Sequence, residues 1–360
     1  STLGALGAGT AYGVRELLAD DVAGARVADL GPDAGELIDE QPAITVAPAS
    51  VEVAPAVVAP EVERDEAQPA WMAIGDEAAL APLRSGTVVK VKFNRGGTSL
   101  SLRIDFDNGA RAAFKPEQVH PQSNPRREIA AYRIDRLLGI NRVPPATGRT
   151  FTVAEIVAAV PPSERFKRSR LDEEAIARKG KLRGEVSWWV PVLDGARIGG
   201  FGIDETGGIV TWKKALRVGA TVPEKDRWLV RQISNVIAFD FLLDNTDRWS
   251  GNNAQVGEGA DAKVLYFTDN TLALTGNRKA HRKNRTYLSR VETFSRRLIG
   301  RIRALTEAEL RAAVEVDPEP FDFLMTDKEI DALMGRRDKL LEYVDALIAE
   351  HGEEKVLAFP

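Results

Sequence analysis

Phe239-Asp-Phe-Leu-Leu-Asp-Asn-Thr-Asp247-Arg-Trp-Ser-Gly-Asn252 is the stretch on which the reading of this chain turns. It closes an apolar pattern that begins upstream. Leu229, Ile233, Val236, Ile237, Phe239 and Phe241 share one helical face, so the spacing predicts a buried helix from Asp226 to Leu243. The chain then turns polar within a few residues. A carboxylate where a buried helix gives way to a loop, with an amide five residues on, has a chemical logic. Asp247 can orient a hydroxyl and accept its proton, and Asn252 can bring an amide oxygen to a divalent cation on the same loop. Asn253 is adjacent and could serve the same purpose.

Protein kinases use this Asp-to-Asn interval in their catalytic loop, which supports the choice of Asn252. Here the preceding His is absent, and Arg248 follows the Asp instead of preceding it. Downstream, Val264-Leu-Tyr-Phe267 reads as a short strand ending in Thr268-Asp269-Asn270, which places Asp269 as a second metal ligand. Upstream, Lys115 ends a hairpin strand and Glu128 lies one turn into the next helix. Lys115 can hold phosphate oxygens while paired to Glu128. Hard-oxygen ligands of this kind suit Mg²⁺ or Mn²⁺, with Asp269, Asn252 and Glu128 as donors. Gly96-Gly97 reads either as a plain hairpin turn or as a loop covering phosphates. Trp188 and Trp189 read as core, with Trp189 as a flank for an adenine ring in the alternative.

Working outward, Val88–Phe93, Leu100–Phe106 and Arg111–Lys115 alternate as an antiparallel sheet, with Asp107-Asn-Gly109 as a hairpin turn. A helix is expected from Pro125 to Gly139, and Val143-Pro-Pro145 forces extended chain after it. Phe151–Val160 reads as a strand or short helix, residues 163–184 as an exposed basic loop, and Val186–Val190 as a buried strand. Residues 289–303 and 326–350 read as amphipathic helices, the second opened by a Thr326/Glu329 capping box. The expected fold class is α+β, in two lobes. Residues 71–190 hold a small antiparallel sheet and one helix, and residues 191–360 are mainly helical.

Composition narrows the chemistry. The 360 residues include no cysteine and three histidines, which excludes disulfides, thiol catalysis and Cys-ligated metals. The net charge of −4 is uneven: residues 1–70 hold 13 of the 53 acidic and 3 of the 49 basic side chains. The remainder, 40 acidic and 46 basic, is mildly basic and suits anionic ligands. Residues 1–70 carry one aromatic, Tyr12, and closely spaced prolines from Pro42 to Pro69, so they read as a flexible acidic spacer. The opening Ser1–Tyr12 is small and apolar. It reads as the end of a membrane anchor or signal, or as a boundary within the tail.

Several blocks together resemble the secretory-pathway kinase family, the group of the Golgi casein kinase, the proteoglycan xylose kinase and four-jointed. They are Ala112-Ala-Phe-Lys-Pro116, Glu128-Ile-Ala-Ala-Tyr-Arg-Ile-Asp-Arg-Leu-Leu-Gly139, Arg142-Val-Pro-Pro145, Phe239–Arg248 and Tyr266-Phe-Thr-Asp-Asn270. The resemblance spans roughly residues 85–305 and implies an atypical kinase fold that uses ATP with Mg²⁺ or Mn²⁺. By position it implies that Lys115 binds nucleotide phosphates and that Glu128 pairs with it. It also implies that Asp247 is the catalytic carboxylate and that Asp269 binds the metal. Gly184–Pro191 resembles the segment linking the lobes. Thr271 stands where the family has Gly or Glu, and the Lys115–Glu128 interval is shorter than in ordinary protein kinases. The absence of cysteine with abundant Ala and Arg suggests a bacterial relative.

The function expected is transfer of the γ-phosphate of ATP to a hydroxyl, protein Ser/Thr slightly ahead of sugar. A phosphoinositide-type lipid kinase and a nucleotide-binding pseudokinase scaffold stay open as alternatives. Ten Lys and Arg against Glu292 alone between Arg278 and Arg303 offer a docking surface for an acidic acceptor, or a solvated helix face with internal ion pairs. Nucleic acid is not expected. The compartment is extracytoplasmic or membrane-tethered if the N-terminus is an anchor, and cytoplasmic otherwise.

Overall fold

The computed structural model describes residues 67–94, 99–250, 253–259 and 262–360. Residues 1–66, which carry most of the acidic spacer and the anchor reading, lie outside the described residues, as do Gly96, Gly97 and Asn252.

The described chain starts against the body. The Ala67 carbonyl accepts a 3.0 Å bond from Arg142, and Trp71, in a 3-10 turn over Ala70–Ala73, is buried against Tyr266. Helix α1 (Asp76–Ser85) leads into strands β1 (Val88–Phe93), β2 (Leu102–Phe106) and β3 (Arg111–Pro116). Leu102, Ile104 and Phe106 on β2 and Ala112 and Phe114 on β3 are buried, the period of two that the sequence shows. Gly109 takes the positive φ that the β2–β3 hairpin turn requires. Helix α2 (Pro125–Leu137) carries Pro125 in its first turn and runs out at Gly139, again at positive φ. β4 (Ala146–Thr152) follows the two prolines. Thr152 and Glu155 then form a capping box that opens α3 (Val153–Ala158), so this segment is a strand end and a short helix in turn.

Residues 163–184 are not the loop expected. They form a 3-10 turn (Pro162–Lys167), helix α4 (Arg168–Glu174), and the hairpin β5 (Ala177–Arg178) and β6 (Lys181–Trp188). The buried anchors Leu171 and Leu182 are sparse among long basic stems, which hides the periodicity from sequence. β6 is an interior strand, between β3 and β4 in the order β1-β2-β3-β6-β4, every pair antiparallel. Gly184 permits this close pairing: a Cβ there would meet the Lys115 carbonyl oxygen at 2.4 Å.

The second part begins with the short strands β7 (Asp194–Gly195), β8 (Arg197–Ile198) and β9 (Phe201–Gly202), then α5 (Thr206–Ala215). α6 (Glu224–Leu243) is its axis, and its last turns from Val236 to Leu243 are buried all round. At roughly 1.5–3 kcal/mol per buried large apolar side chain, Phe239, Phe241, Leu242 and Leu243 alone give this helix a fixed seat. β10 (Gln255–Glu258) and β11 (Lys263–Tyr266) form a small ladder with β7. Helices α7 (Arg282–Leu288), α8 (Arg296–Ala304), α9 (Glu307–Glu315), α10 (Asp327–His351) and α11 (Glu353–Val356) complete the order.

The helix expected over 289–303 starts later, because Ser295 caps α8 by accepting the Leu298 N–H, while Val291 and Phe294 are buried in the turn before it. Thr326 and Glu329 form the predicted capping box on α10. Arg126 on α2 makes a bidentate pair with the same Glu329, tying the sheet side to the helical side.

About half of the basic run has partners within the molecule, several of them at the surface. Arg278 pairs with Asp331, Arg296 with Glu353 and Glu354, and Arg303 with Asp345, while Lys283 and Arg285 donate to backbone carbonyls. Among the described residues no helix is long and apolar enough to cross a membrane.

Candidate active site

Lys115, Glu128, Glu185, Trp189, Asn253 and Asp269 line one open cavity of about 590 Å³ between the sheet and the α6 side of the molecule. That volume is within the range of small-molecule sites. Four separate elements deliver its charged groups. Lys115 is the penultimate residue of β3, Glu128 is in the first turn of α2, Glu185 is on β6, and Asp269 follows β11.

Glu128 was expected to pair with Lys115. Instead its carboxylate accepts the backbone N–H of Asp269 at 3.0 Å and that of Asn270. Lys115 Nζ donates to Asp269 Oδ1 at 2.6 Å. The reason is local backbone shape. Asp269 sits at φ +59°, in the left-handed region, and this turn points two consecutive N–H groups at α2. A buried carboxylate facing two free donors is best satisfied by accepting both. Asp269 is left to meet the nearest cation, Lys115.

The titration behaviour follows from this crowding. Burial alone would lower the Lys115 ammonium, but the carboxylates of Asp269, Glu128 and Glu185 hold it well above its ordinary value. The Lys115 charge draws Asp269 below the usual carboxylate range, against burial. Burial pushes Glu128 up, opposed by Lys115. Burial pushes Glu185 up further, and the Glu128 charge adds to it.

Asp247 stands on the loop after α6. Asp244 ends that helix in the left-handed conformation, with its carboxylate held by the His281 N–H at 2.6 Å and the Asn284 amide at 2.9 Å. Asn245 then ties the two loops of the site together. Its Oδ1 accepts the Asp247 N–H, and its Nδ2 donates to the Asp269 carbonyl at 3.1 Å. Arg248 does the same from below, reaching Asp240, Asn270 Oδ1 at 2.8 Å and the Thr268 carbonyl.

The Asp247 carboxylate is half-buried and accepts from Ser250 at 3.2 Å and Asn253 Nδ2 at 3.0 Å. Burial, and then the nearby Asp269 charge, raise its proton affinity. A carboxylate raised in this way is a better base than a solvated one. Of the two adjacent amides, Asn253 is the one the described residues bring to Asp247 and the cavity; Asn252 lies outside them.

Trp189 is part-buried on the cavity wall, with the Arg103 guanidinium over its ring at 5.8 Å, while Trp188 packs partly on the Trp71–Tyr266 cluster. Two groups beside the site went unread in the sequence, Glu185 and Lys283. Glu185 becomes visible only once β6 is registered against β3, where it faces Lys115. Lys283 reaches the Thr246 carbonyl at 2.7 Å from α7, more than thirty residues downstream, and feels the Asp247 charge. Neither pairing leaves a signal in the local pattern.

A divalent cation fits this donor set. Among the described residues no cluster of three or more His, Cys, Asp or Glu side chains is placed to hold a metal. Mg²⁺-type ions in phosphate chemistry, however, commonly take one or two carboxylates and complete their shell with phosphate oxygens and water. Asp269, whose side chain is 37% exposed, and Glu128 beside it supply that pair.

No family model matches the chain. It is similar to the human extracellular serine/threonine protein kinase FAM20C, 35% identical over 23% of this chain and 17% of that one. It is similar to the human glycosaminoglycan xylosylkinase, 22% identical over 78% of this chain and 77% of that one. The chain thus matches about a sixth of the length of the first relative and about three quarters of the second. Among solved structures, the Golgi casein kinase with Mn/ADP bound superposes with a TM-score of 0.61 at 14% identity over 79% of each chain. Hydra Fam20 with sugar gives 0.59 at 17% identity over 84% of this chain and 95% of the other. The antiparallel sheet beside a mainly helical part is therefore the two-lobed α+β fold of those kinases, and the relatives that the chain is similar to are of the kinase group its motifs resemble.

Proposed function

We propose that the chain is a metal-dependent phosphotransferase that moves the γ-phosphate of ATP to the hydroxyl of a protein Ser/Thr or a sugar. The observation that carries this is the convergence of Lys115, Glu128 and Asp269 on one cleft from distant segments, with Asp247 bonded to Asn253 of the cleft wall. The similar kinases include one named for serine/threonine and one named for xylose, so protein and sugar acceptors both have support. They lend none to the phosphoinositide alternative. Their names also favour an extracytoplasmic place of action.

In this reading Trp189 flanks the adenine, and Lys115 holds phosphate oxygens from the sheet side. A divalent cation held by Asp269 and Glu128 supplies charge neutralisation on the phosphates. Asp247 orients the acceptor hydroxyl. The acceptor oxygen bonds to the γ-phosphorus, the bond from that phosphorus to the β–γ bridging oxygen breaks, ADP departs, and the hydroxyl proton passes to Asp247. Lys283, beside Asp247, favours its ionised form. Asp247 and Asp269 sit on loops that Asn245 and Arg248 tie together, so the groups facing the transferred phosphoryl are held in place before reaction.

The test is incubation with γ-labelled ATP, Mn²⁺ or Mg²⁺, and casein-like or xylosyl acceptors. Label should pass to an acceptor, and EDTA should abolish both transfer and nucleotide affinity. Asp247→Ala should lower kcat by roughly 10²-fold or more with ATP affinity little changed, the size usual for a positioned acid–base group. Normal turnover in a folded Asp247→Ala protein would refute the assignment.

A further inference from the structure

Glu185 is the one carboxylate of the cavity to which phosphotransfer gives no task. It is on β6 directly opposite Lys115 of β3, so the two side chains leave the same face of the sheet. It is 1% exposed, and neither carboxylate oxygen is closed by a hydrogen bond of good geometry among the described residues, the Ser187 hydroxyl two places along β6 being its one polar neighbour of that kind. Such groups are rare in native proteins and costly, and each calls for an explanation.

The commitments of its neighbours supply one. The Lys115 ammonium is drawn by Asp269, Glu128 and Glu185 alike, yet its bond goes to Asp269 Oδ1. That is the oxygen-bearing group which the proposed function needs for a cation. Glu128 is not free to replace it, because its oxygens accept the backbone N–H groups of Asp269 and Asn270. Of the three carboxylates, Glu185 is the least committed.

Resting on the phosphotransferase reading, we infer that Glu185 is the positioning carboxylate of Lys115 in the nucleotide-bound state. When a cation and phosphates claim Asp269, the ammonium exchanges Asp269 for Glu185 and stays aimed into the cavity. Directly opposed residues on antiparallel strands have Cβ atoms about 4.5–5.5 Å apart, so the long Lys and Glu side chains meet without backbone movement. The lysine is thereby held from within the sheet, and Asp269 is released to serve the cation. Glu185 touches no reacting atom; it acts through Lys115.

The experiment is calorimetry on the full chain with Mn²⁺ and a non-hydrolysable ATP analogue, using wild type, Glu185→Gln, Lys115→Met and the double variant. Glu185→Gln should weaken nucleotide binding about tenfold, the scale of one charge-assisted hydrogen bond. In the Lys115→Met background the same substitution should change nothing further, since there is no lysine left to hold. Mn²⁺ affinity without nucleotide should equal that of wild type. Glu185→Gln should melt at or above the wild-type temperature, because it replaces a buried carboxyl, which burial and the Glu128 charge penalise when ionised, by a neutral group of the same shape.

Equal affinity in Glu185→Gln, or additive losses in the double variant, would overturn the inference. So would loss of Mn²⁺ binding, which would make Glu185 a metal ligand, and failure of the variant to fold, which would make it structural. If wild type itself binds no Mn²⁺–nucleotide, the phosphotransferase reading fails, and that outcome is distinct from all of these.

Discussion

Arg248→Met removes the guanidinium that joins the two loops of the site, and its cost can be worked from the structure. Arg248 is 1% exposed and its partner Asp240 equally buried. The pair is closed by two contacts of 3.3 Å, with further bonds to Asn270 and the Thr268 carbonyl, and the Phe267 ring lies under the guanidinium at 5.9 Å. Methionine restores much of the volume, so the loss is electrostatic. Taking one partner from a buried ion pair typically costs about 3–5 kcal/mol, because the other charge is stranded.

The pH dependence makes the reasoning specific. Burial pushes Asp240 up to about 6 even with Arg248 present. Without the arginine it rises further. A carboxyl whose folded pKa lies above its unfolded value stabilises the fold at low pH, and that contribution is lost as pH climbs through the folded pKa. Wild type therefore stops losing stability from this group near pH 6, whereas the variant goes on losing it above. The gap between them should widen by up to about 1.4 kcal/mol per pH unit, or about 3 kcal/mol between pH 6 and pH 8. Urea unfolding at pH 5, 6, 7 and 8 reads this directly. A loss below about 1 kcal/mol at pH 8, or a loss that does not vary with pH, would refute the argument.

Two more expectations follow from the same geometry. The acidic limb of the kcat–pH profile should lie above the ordinary aspartate value, because burial and the Asp269 charge raise Asp247, and Lys283→Met should move that limb to higher pH by removing a cation that favours the carboxylate; a limb that Lys283→Met leaves in place counts against Asp247 as the group reported. Gly184→Ala should destabilise the fold by roughly 1–3 kcal/mol and weaken nucleotide binding, since the new Cβ would press on the Lys115 carbonyl and the Phe114 ring; a thermal melt and a nucleotide titration check both, and a neutral variant would show that β3 and β6 can part without moving Lys115.

Much of this protein is legible in its sequence because the physics there is local. Period-two alternation marked β2 and β3, Asp-Asn-Gly109 marked their turn, Pro125 and Gly139 bounded α2, and Thr326 with Glu329 marked the start of α10. A helix apolar enough to be buried, breaking into Asp247, identified a polar loop fixed at the edge of a core. Lys115, Glu128, Trp189, Asp247 and Asp269 could all be named from such patterns and from the resemblance they carry.

Tertiary structure decided which of these groups meet. No local pattern foretells that Asp269 adopts a left-handed turn, and that turn hands Glu128 two backbone donors and Lys115 a different carboxylate. Nor could Leu171 and Leu182, two anchors among long basic side chains, reveal that residues 163–184 contribute a helix and the first half of an interior strand. Placing β6 there brings Glu185 opposite a lysine seventy positions away in the chain. Hydrophobic period and turn chemistry are properties of a few adjacent residues. Strand register and the sharing of charges in a closed cavity belong to the packed whole, where each buried donor or acceptor takes the partner that geometry leaves it.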